Sequence, residues 1–358
     1  SLCISYHTRL LGANWEIFMK NKFNRRAILK TGAAAVGTLA APSILSANVV
    51  FNKPMVAALN APAGDPTNVS IARIPELMKK NAGLDLNLEV FPPNSLGNDV
   101  NVLESVQNGF IDISSNATAQ FSVFDDSFAF ADLPYAVPSW DAAMKLFKSD
   151  LWKEQTEKFE AAVPTLKVLP PVGAGGFRLL WNDDRPLKTP SDVNGLKFRS
   201  TRSPIGQALF KAWNGNPTPI SFFETQEAIK NGVVDGFHVQ PIWTYKFNFQ
   251  EVLKHATKVD SIFAIQFQVM NKNTWNAMPP EYQTAFMEAA QIAADDANAD
   301  DKALEADYTQ KLIDAGMEIY TPNASEKAEW VKAGKGIWSE VGASIDPSVL
   351  KRLSEITG

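Results

Sequence analysis

Asp192-Val-Asn-Gly-Leu-Lys-Phe-Arg199 is the stretch on which the fold turns, with Gly175-Gly-Phe-Arg178 ahead of it and Glu224 and Gly232-Val-Val-Asp-Gly236 behind it. Gly195 reads as a turn that launches a short strand over 196–200, on which Lys197 and Arg199 share one face because side chains alternate along a strand. Arg199 then stands near the strand's end, at the mouth of the helix that follows. A guanidinium grips a carboxylate through two parallel hydrogen bonds and stays charged at any relevant pH. Spacing alone also admits an ordinary surface or salt-bridged arginine, the commoner use of the residue.

The chain has 358 residues, 45% hydrophobic and 20% charged, which allows two domains with a substantial core. Residues 1–47 differ from the rest, carrying six Lys or Arg against the single acid Glu16. They read as a leader: 1–18 as upstream sequence, Met19 as the start, Asn24-Arg25-Arg26-Ala-Ile-Leu-Lys30 as similar to a twin-arginine export motif, and 33–45 as a short apolar run. Cleavage is expected before Asn48. The apolar run falls short of the ~20 residues a membrane span requires, so the cleaved chain is not expected to cross the membrane.

Without the leader, 28 Lys and Arg stand against 38 Asp and Glu, a formal net charge of −10 with His neutral. That balance does not suit a nucleic-acid partner, and it requires any anion site to be built locally, from placed arginines and helix N-termini. Cys3, the only cysteine, leaves with the leader, so no disulfide, thiol nucleophile or Cys metal site is expected.

Segments 49–59, 68–81 and 84–91 read as strand, helix and strand, the unit of a parallel sheet. A helix over 99–108 and a strand entered through Gly109-Phe-Ile-Asp112 follow, then Ser114-Ser-Asn-Ala-Thr118 at a strand end, where open α/β sheets bind ligands. Asn116 and Thr118 are therefore candidate donors, although such residues more often cap helices or make turns. One helix is expected over 140–159 and a strand over 165–172 that ends in the glycines of 173–176. That cluster lacks the pattern of a phosphate loop and reads as a hinge. Beyond it come a helix over 203–213, a connecting Asn216-Pro-Thr-Pro219, and a helix over 221–230 with Ser221 and Glu224 in capping-box spacing. Gly232-Val-Val-Asp235 repeats the pattern of Gly109-Phe-Ile-Asp112. A strand over 262–270 returns to the first domain. A long helix over 280–315 carries Asp295, Asp296, Asp300, Asp301, Lys302 and Glu305 as a solvated face, and a short strand with helices around Trp330 and Trp338 ends the chain.

The combined pattern resembles the extracytoplasmic solute-binding subunits of TRAP transporters, the DctP-like family. Gly176-Phe-Arg178, Pro190-Ser-Asp-Val-Asn-Gly-Leu-Lys-Phe-Arg199, Glu224-Thr-Gln-Glu-Ala-Ile229 and Gly232-Val-Val-Asp-Gly236 match its motifs in order and spacing, as do Phe91-Pro-Pro-Asn-Ser-Leu-Gly-Asn-Asp99 and Leu133-Pro-Tyr135. The resemblance covers nearly all of 49–340. It departs at Gln226, where the family usually has Tyr, and near His238 and Gln240-Pro241, where the alignment shifts by a residue.

The resemblance implies a two-domain α/β periplasmic-binding-protein fold, type II-like, with a hinge and a long helix spanning both domains. The boundaries expected are 48–174 for the first part of domain I, 175–261 for domain II, 262–279 for the return strand, 280–315 for the spanning helix and 316–358 for the C-terminal helices. It implies a periplasmic receptor that captures a small organic anion and hands it to membrane-embedded TRAP permease subunits. Arg199 would clamp the carboxylate, Arg178 would be a second cationic contact, and Asn116, Thr118, Gln240 and Glu224 weaker contributors. No cofactor and no metal are implied. The anion's class stays open among dicarboxylates, sugar acids, keto or aromatic acids and sulfonates. The alternatives are an ABC-type or sensor-linked binding protein and an exported enzyme. For the enzyme, His238 and His255 have no catalytic motif around them, and the acid pairs Asp125-Asp126 and Asp183-Asp184 are adjacent in sequence only.

Overall fold

The computed structural model describes residues 50–358, so the leader and its export motif lie outside the described residues. Twelve strands are present among them: β1 (Met55–Leu59), β2 (Leu88–Phe91), β3 (Ile113–Ala117), β4 (Leu166–Val168), β5 (Val172–Phe177), β6 (Leu179–Asn182), β7 (Lys197–Ser200), β8 (Asn216–Pro219), β9 (Gly236–Val239), β10 (His255–Thr257), β11 (Phe263–Asn271) and β12 (Glu318–Tyr320). They make two six-stranded sheets, β2-β1-β3-β11-β4 with β5 also on β11, and β12-β10-β6-β9-β7-β8. Each sheet centres one lobe of a type II-like α/β binding fold.

The two Gly-x-x-Asp repeats do the same physical work. In the first lobe, Asp112 accepts the Val56 N–H at 2.8 Å, and its own N–H donates to Val56 C=O, which fixes β3 parallel to β1. In the second lobe, Asp235 accepts the Lys197 N–H at 2.6 Å and returns its N–H to Lys197 C=O, which fixes β9 parallel to β7. A carboxylate on a backbone N–H is a charge-assisted bond that sets register as well as adding stability.

The chain crosses between sheets at two adjacent places. β5 belongs to the first sheet and β6 to the second, with only Arg178 between them. β10 returns to β11 through 258–262, and the Arg178 N–H donates to Ile262 C=O at 3.0 Å, tying the crossings together. The helix Pro280–Asp314 runs beside them, 35 residues that extend about 50 Å. Its early turns pack Ala285, Ala289 and Ala293 with Ile71, Ile74 and Met78 of the helix Pro66–Ala82. Its later turns place Tyr308 and Leu312 in the second lobe's core with Trp181 and Phe237.

The structure revises several sequence expectations. Asp301 is fully buried and not part of a solvated face: it accepts the Gly175 N–H at 2.8 Å, while Asn298 accepts the Gly173 N–H at 2.8 Å. The edge of β5 that no strand pairs is buried and needs acceptors, and this face of the helix supplies them. The glycine cluster lies inside β5, not after a strand ending at 172. The helix expected over 140–159 is two, Trp140–Phe147 and Asp150–Ala162, because Ser149 caps the second at the Trp152 N–H. Asn216–Pro219 is an edge strand, where proline's missing N–H costs no ladder bond. Residues 317–358 add β12 to the second sheet, and they bury Trp330 edge-on to Trp213.

Gly175 and Gly176 have φ of +86° and +84°, and a Cβ on Gly176 would run into the Glu305 carboxylate. Gly176→Ala is expected to lower stability by about 2–4 kcal/mol in urea unfolding, combining left-handed strain with overpacking. Gly336→Ala, at a helix end facing open space, should stay within about 0.5 kcal/mol.

Asp65 caps the helix Pro66–Ala82 and accepts the Trp243 indole N–H at 2.8 Å; burial pushes its carboxyl up to about 6. A raised carboxyl contributes stability that is complete below about pH 4 and lost as pH rises through about 6. Asp65→Asn, which cannot ionise, should therefore gain on the parent by about 2–3 kcal/mol between pH 4 and pH 7. A gap that does not change with pH would count against a raised carboxyl.

Candidate ligand-binding site

A cavity of about 80 Å³ lies between the lobes, beside the two crossings and at the ends of β3, β7 and β9. The ends of parallel strands are where backbone leaves the sheet and side chains can converge on a ligand.

Arg178, the crossing residue, lines this cavity and keeps part of its surface open to it. Burial lowers its basicity, and the nearby Asp132 carboxylate opposes that. Asp132 is itself buried, which pushes its carboxyl up to about 6 against Arg178 and a 2.7 Å hydrogen bond from the Thr118 hydroxyl. Arg199, on β7, is 7% exposed, and its Nε donates to Ile220 C=O at 3.1 Å. Its guanidinium lies 5.7 Å from the Phe222 ring centre, and Nη2 is 3.9 Å from the Asp99 carboxylate. Burial lowers Arg199 to about 10, Asp99 opposing and Arg178 adding to the effect, so it remains a cation at neutral pH. The cavity thus holds two partly desolvated guanidiniums whose mutual repulsion an anion would relieve.

Neutral donors surround the cations. Asn116 on β3 and Asn60 just beyond β1 are each 3% exposed and line the cavity, and both side-chain N–H₂ groups lack a protein acceptor. The Ser200 hydroxyl is unpartnered there too. Buried polar groups are nearly always hydrogen-bonded, so three orphans on residues that line one cavity suit a ligand with several acceptor oxygens. Gln240 also lines the cavity, at the start of the helix Pro241–Lys246 without capping it. His238 lies beside Arg178, its Nε2 3.3 Å from the Arg178 carbonyl oxygen. Burial, with Arg178 adding, drives its basicity far down, so it is a neutral imidazole.

The structure therefore brings Arg178, Arg199, Asn116 and Gln240 together on one cavity. Thr118 does not line it, because its side chain turns away to Asp132. Glu224 is exposed and outside the cavity, and its capping box with Ser221 does not form: the Ser221 hydroxyl donates instead to Asp99 at 2.6 Å. Gln226 bonds the Asn248 carbonyl and does not line the cavity. Sequence reasoning missed Asn60, Asp99 and Gln266. Asp99 sat within the quoted Leu96-Gly-Asn-Asp99 loop but read only as a helix start; Asn60 and Gln266 carried no motif.

Residues 57–344 match the family described as bacterial extracellular solute-binding protein, family 7. The chain is 26% identical over 328 residues to the C4-dicarboxylate-binding periplasmic protein DctP of Rhodobacter capsulatus, covering 91% of this chain and 96% of that one. It is 27% identical over 263 residues to the 2,3-diketo-L-gulonate-binding periplasmic protein YiaO of Escherichia coli K12, covering 72% and 77%. Among solved structures, a TRAP periplasmic solute-binding protein of Shewanella oneidensis with bound succinate superposes with a TM-score of 0.80 at 20% identity, over 86% of this chain and all of that one. One from Pseudomonas putida F1 with bound D-glucuronate gives 0.79 at 23%, over 86% and 98%.

Asn116→Ala should weaken anion binding about 10-fold, with unfolding free energy changed by less than about 1 kcal/mol, because the lost amide has no protein partner. Thr118→Val should do the reverse, costing about 1–3 kcal/mol of stability with affinity held within about 3-fold. Calorimetric titration and urea unfolding of both variants separate the two roles.

Proposed function

We propose that this chain, which belongs to family 7 of the bacterial extracellular solute-binding proteins, captures a small organic acid anion and presents it to the membrane subunits of a TRAP-type secondary transporter. The observation that carries the reading is the pair of desolvated guanidiniums, Arg178 and Arg199, set in one cavity among unpaired amide donors. A protein with a formal net charge of −5 over its whole length has no general attraction for anions, so the attraction must arise at this site.

Arg199 is the carboxylate clamp in this reading. Its Nε is committed to Ile220 C=O and the ring of Phe222 lies near it, which restrains the guanidinium in the cavity wall. Arg178 supplies the second cation, and Asn60, Asn116 and Gln240 donate to the remaining oxygens. Charge-assisted bonds contribute roughly 1.5–3 kcal/mol each, and micromolar affinity needs about 8 kcal/mol net, so clamp, amides and enclosure act jointly. The leader supports export to the periplasm by the twin-arginine route. Among the described residues no helix is long and apolar enough to cross a membrane, so the membrane step is assigned to partner subunits.

Arg199→Ala is expected to lower carboxylate affinity by at least about 100-fold in calorimetry while leaving a folded protein, and Arg199→Lys should fail almost as badly because an ammonium lacks the planar fork. Thermal-shift screening against carboxylates and sulfonates should show one acid class raising the midpoint. Unchanged affinity in Arg199→Ala would sink the clamp assignment.

A further inference from the structure

His238 stands in the cavity wall on a stretch where the chain departs from the family motifs, so those motifs do not account for it. Its neighbours on β9, Phe237 and Val239, belong to the second lobe's core, and strand alternation turns the imidazole to the opposite face. There Phe210 and Trp213 lie nearly perpendicular to the ring, with centres 6.3 and 5.6 Å away, and His238 is 8% exposed. Nε2 lies 3.3 Å from the Arg178 carbonyl oxygen and 3.2 Å from the Ser261 hydroxyl. Arg178 belongs to the first crossing and Ser261 to the second, so the ring is fastened to both.

Those partners decide where the ring's hydrogen is. A carbonyl oxygen only accepts, and among the described residues no backbone N–H donates to the Arg178 carbonyl, so Nε2 carries the hydrogen that this oxygen takes. Burial and the nearby Arg178 cation keep the imidazole neutral, which leaves it one N–H and one lone pair. The lone pair is therefore on Nδ1. Among the described residues Nδ1 has no hydrogen-bond partner, and it is not one of the unpartnered atoms sealed in the interior. A desolvated acceptor in a cavity wall calls for a donor from whatever fills the cavity.

We propose that His238 is a specificity-determining residue of this site, whose Nδ1 accepts a hydrogen bond from the ligand and so selects 2-hydroxy acids over the corresponding 2-oxo acids. The inference rests on the anion-binding reading above and narrows it to one substrate class. The Arg178 cation is near enough to the imidazole to depress its basicity, so a carboxylate held on Arg178 brings its neighbouring carbon closest to the ring. A hydroxyl on that carbon donates to Nδ1. An oxo group there sets an oxygen against a lone pair and leaves both unsatisfied, and a site built to bond a ligand hydroxyl rejects the analogue that lacks it. Asp99, another acceptor on the wall, is already engaged by the Ser221 hydroxyl and the Gln120 amide.

The test is calorimetry on the purified protein at neutral pH with pairs of acids that share skeleton and charge: lactate and pyruvate, 2-hydroxybutyrate and 2-oxobutyrate, 2-hydroxyglutarate and 2-oxoglutarate, gluconate and 2-oxogluconate. In every pair that binds, the hydroxy acid should bind at least about tenfold tighter. His238→Gln puts an amide N–H₂ where Nε2 stood, which keeps a donor for the Arg178 carbonyl and removes the Nδ1 lone pair. It should bring the ratio within about threefold. A nitrogen NMR spectrum of the histidine-labelled parent is the readout should His238→Gln fail to fold: Nδ1 should resonate as an unprotonated nitrogen and move toward the hydrogen-bonded range when the hydroxy acid is added. Pairs bound equally, a preference for the oxo acid, a preference that His238→Gln leaves intact, or an Nδ1 that carries the hydrogen would each overturn the proposal while leaving the anion-binding reading intact. So would an Nδ1 signal that the hydroxy acid does not move, or binding confined to acids with neither group beside the carboxylate. Absence of binding by every acid, with Arg199→Ala indistinguishable from the parent, would overturn the underlying reading and this inference with it.

Discussion

Arg178 is the sole residue between a strand of one sheet and a strand of the other, and the rest of the site depends on that placement. Its N–H holds the second crossing through Ile262, and its side chain enters the cavity at the junction of the lobes. Backbone at such a junction must satisfy its hydrogen bonds without a continuous ladder. The spanning helix solves this with Asn298 and Asp301, which accept from the glycines of β5. Gly176 lets the strand lie that close to the spanning helix, where a side chain would collide with Glu305, and Gly175 leaves room for Ile242 of the helix Pro241–Lys246. Geometry at the crossing therefore comes before chemistry in the cavity.

The second constraint is electrostatic. Two guanidiniums are held out of water in an acidic protein, each with an incomplete counter-charge: Asp132 for Arg178 and Asp99 for Arg199. Neither pairing uses up the guanidinium's donors, whereas a fully bonded guanidinium has none left to offer. The unpaired amides of Asn60 and Asn116 follow the same logic with neutral groups.

Much of this was legible in the chain. The alternation and helical periods gave the βαβ opening, the long helix and the returning strand, and the two Gly-x-x-Asp elements were visible as a repeat before their shared task, an Asp carboxylate on a neighbouring strand's N–H, could be seen. Family motifs carried Arg178 and Arg199. What misled was local pattern without tertiary context. Asp301 belonged to a charged run and yet is buried, Ser221 and Glu224 had capping-box spacing and yet Ser221 serves Asp99, and Thr118 stood beside Asn116 and yet turns to Asp132. In each case a polar side chain had two partners available, and the distant one prevailed.

The sequence by itself determined the alternating α/β character, the βαβ opening and the long helix, because periodicity and glycine placement are properties of the chain, while Arg178 and Arg199 stood out through motifs shared with a family. Only the tertiary structure decided which polar groups lose water and which of those stay unpaired. Asn60, Asp99 and Gln266 come from three separate segments, and neither their burial nor their convergence with Arg199 leaves a trace in spacing. Desolvation and hydrogen-bond satisfaction depend on what surrounds a group in three dimensions, and those surroundings are set when the two sheets and the helix behind them come together.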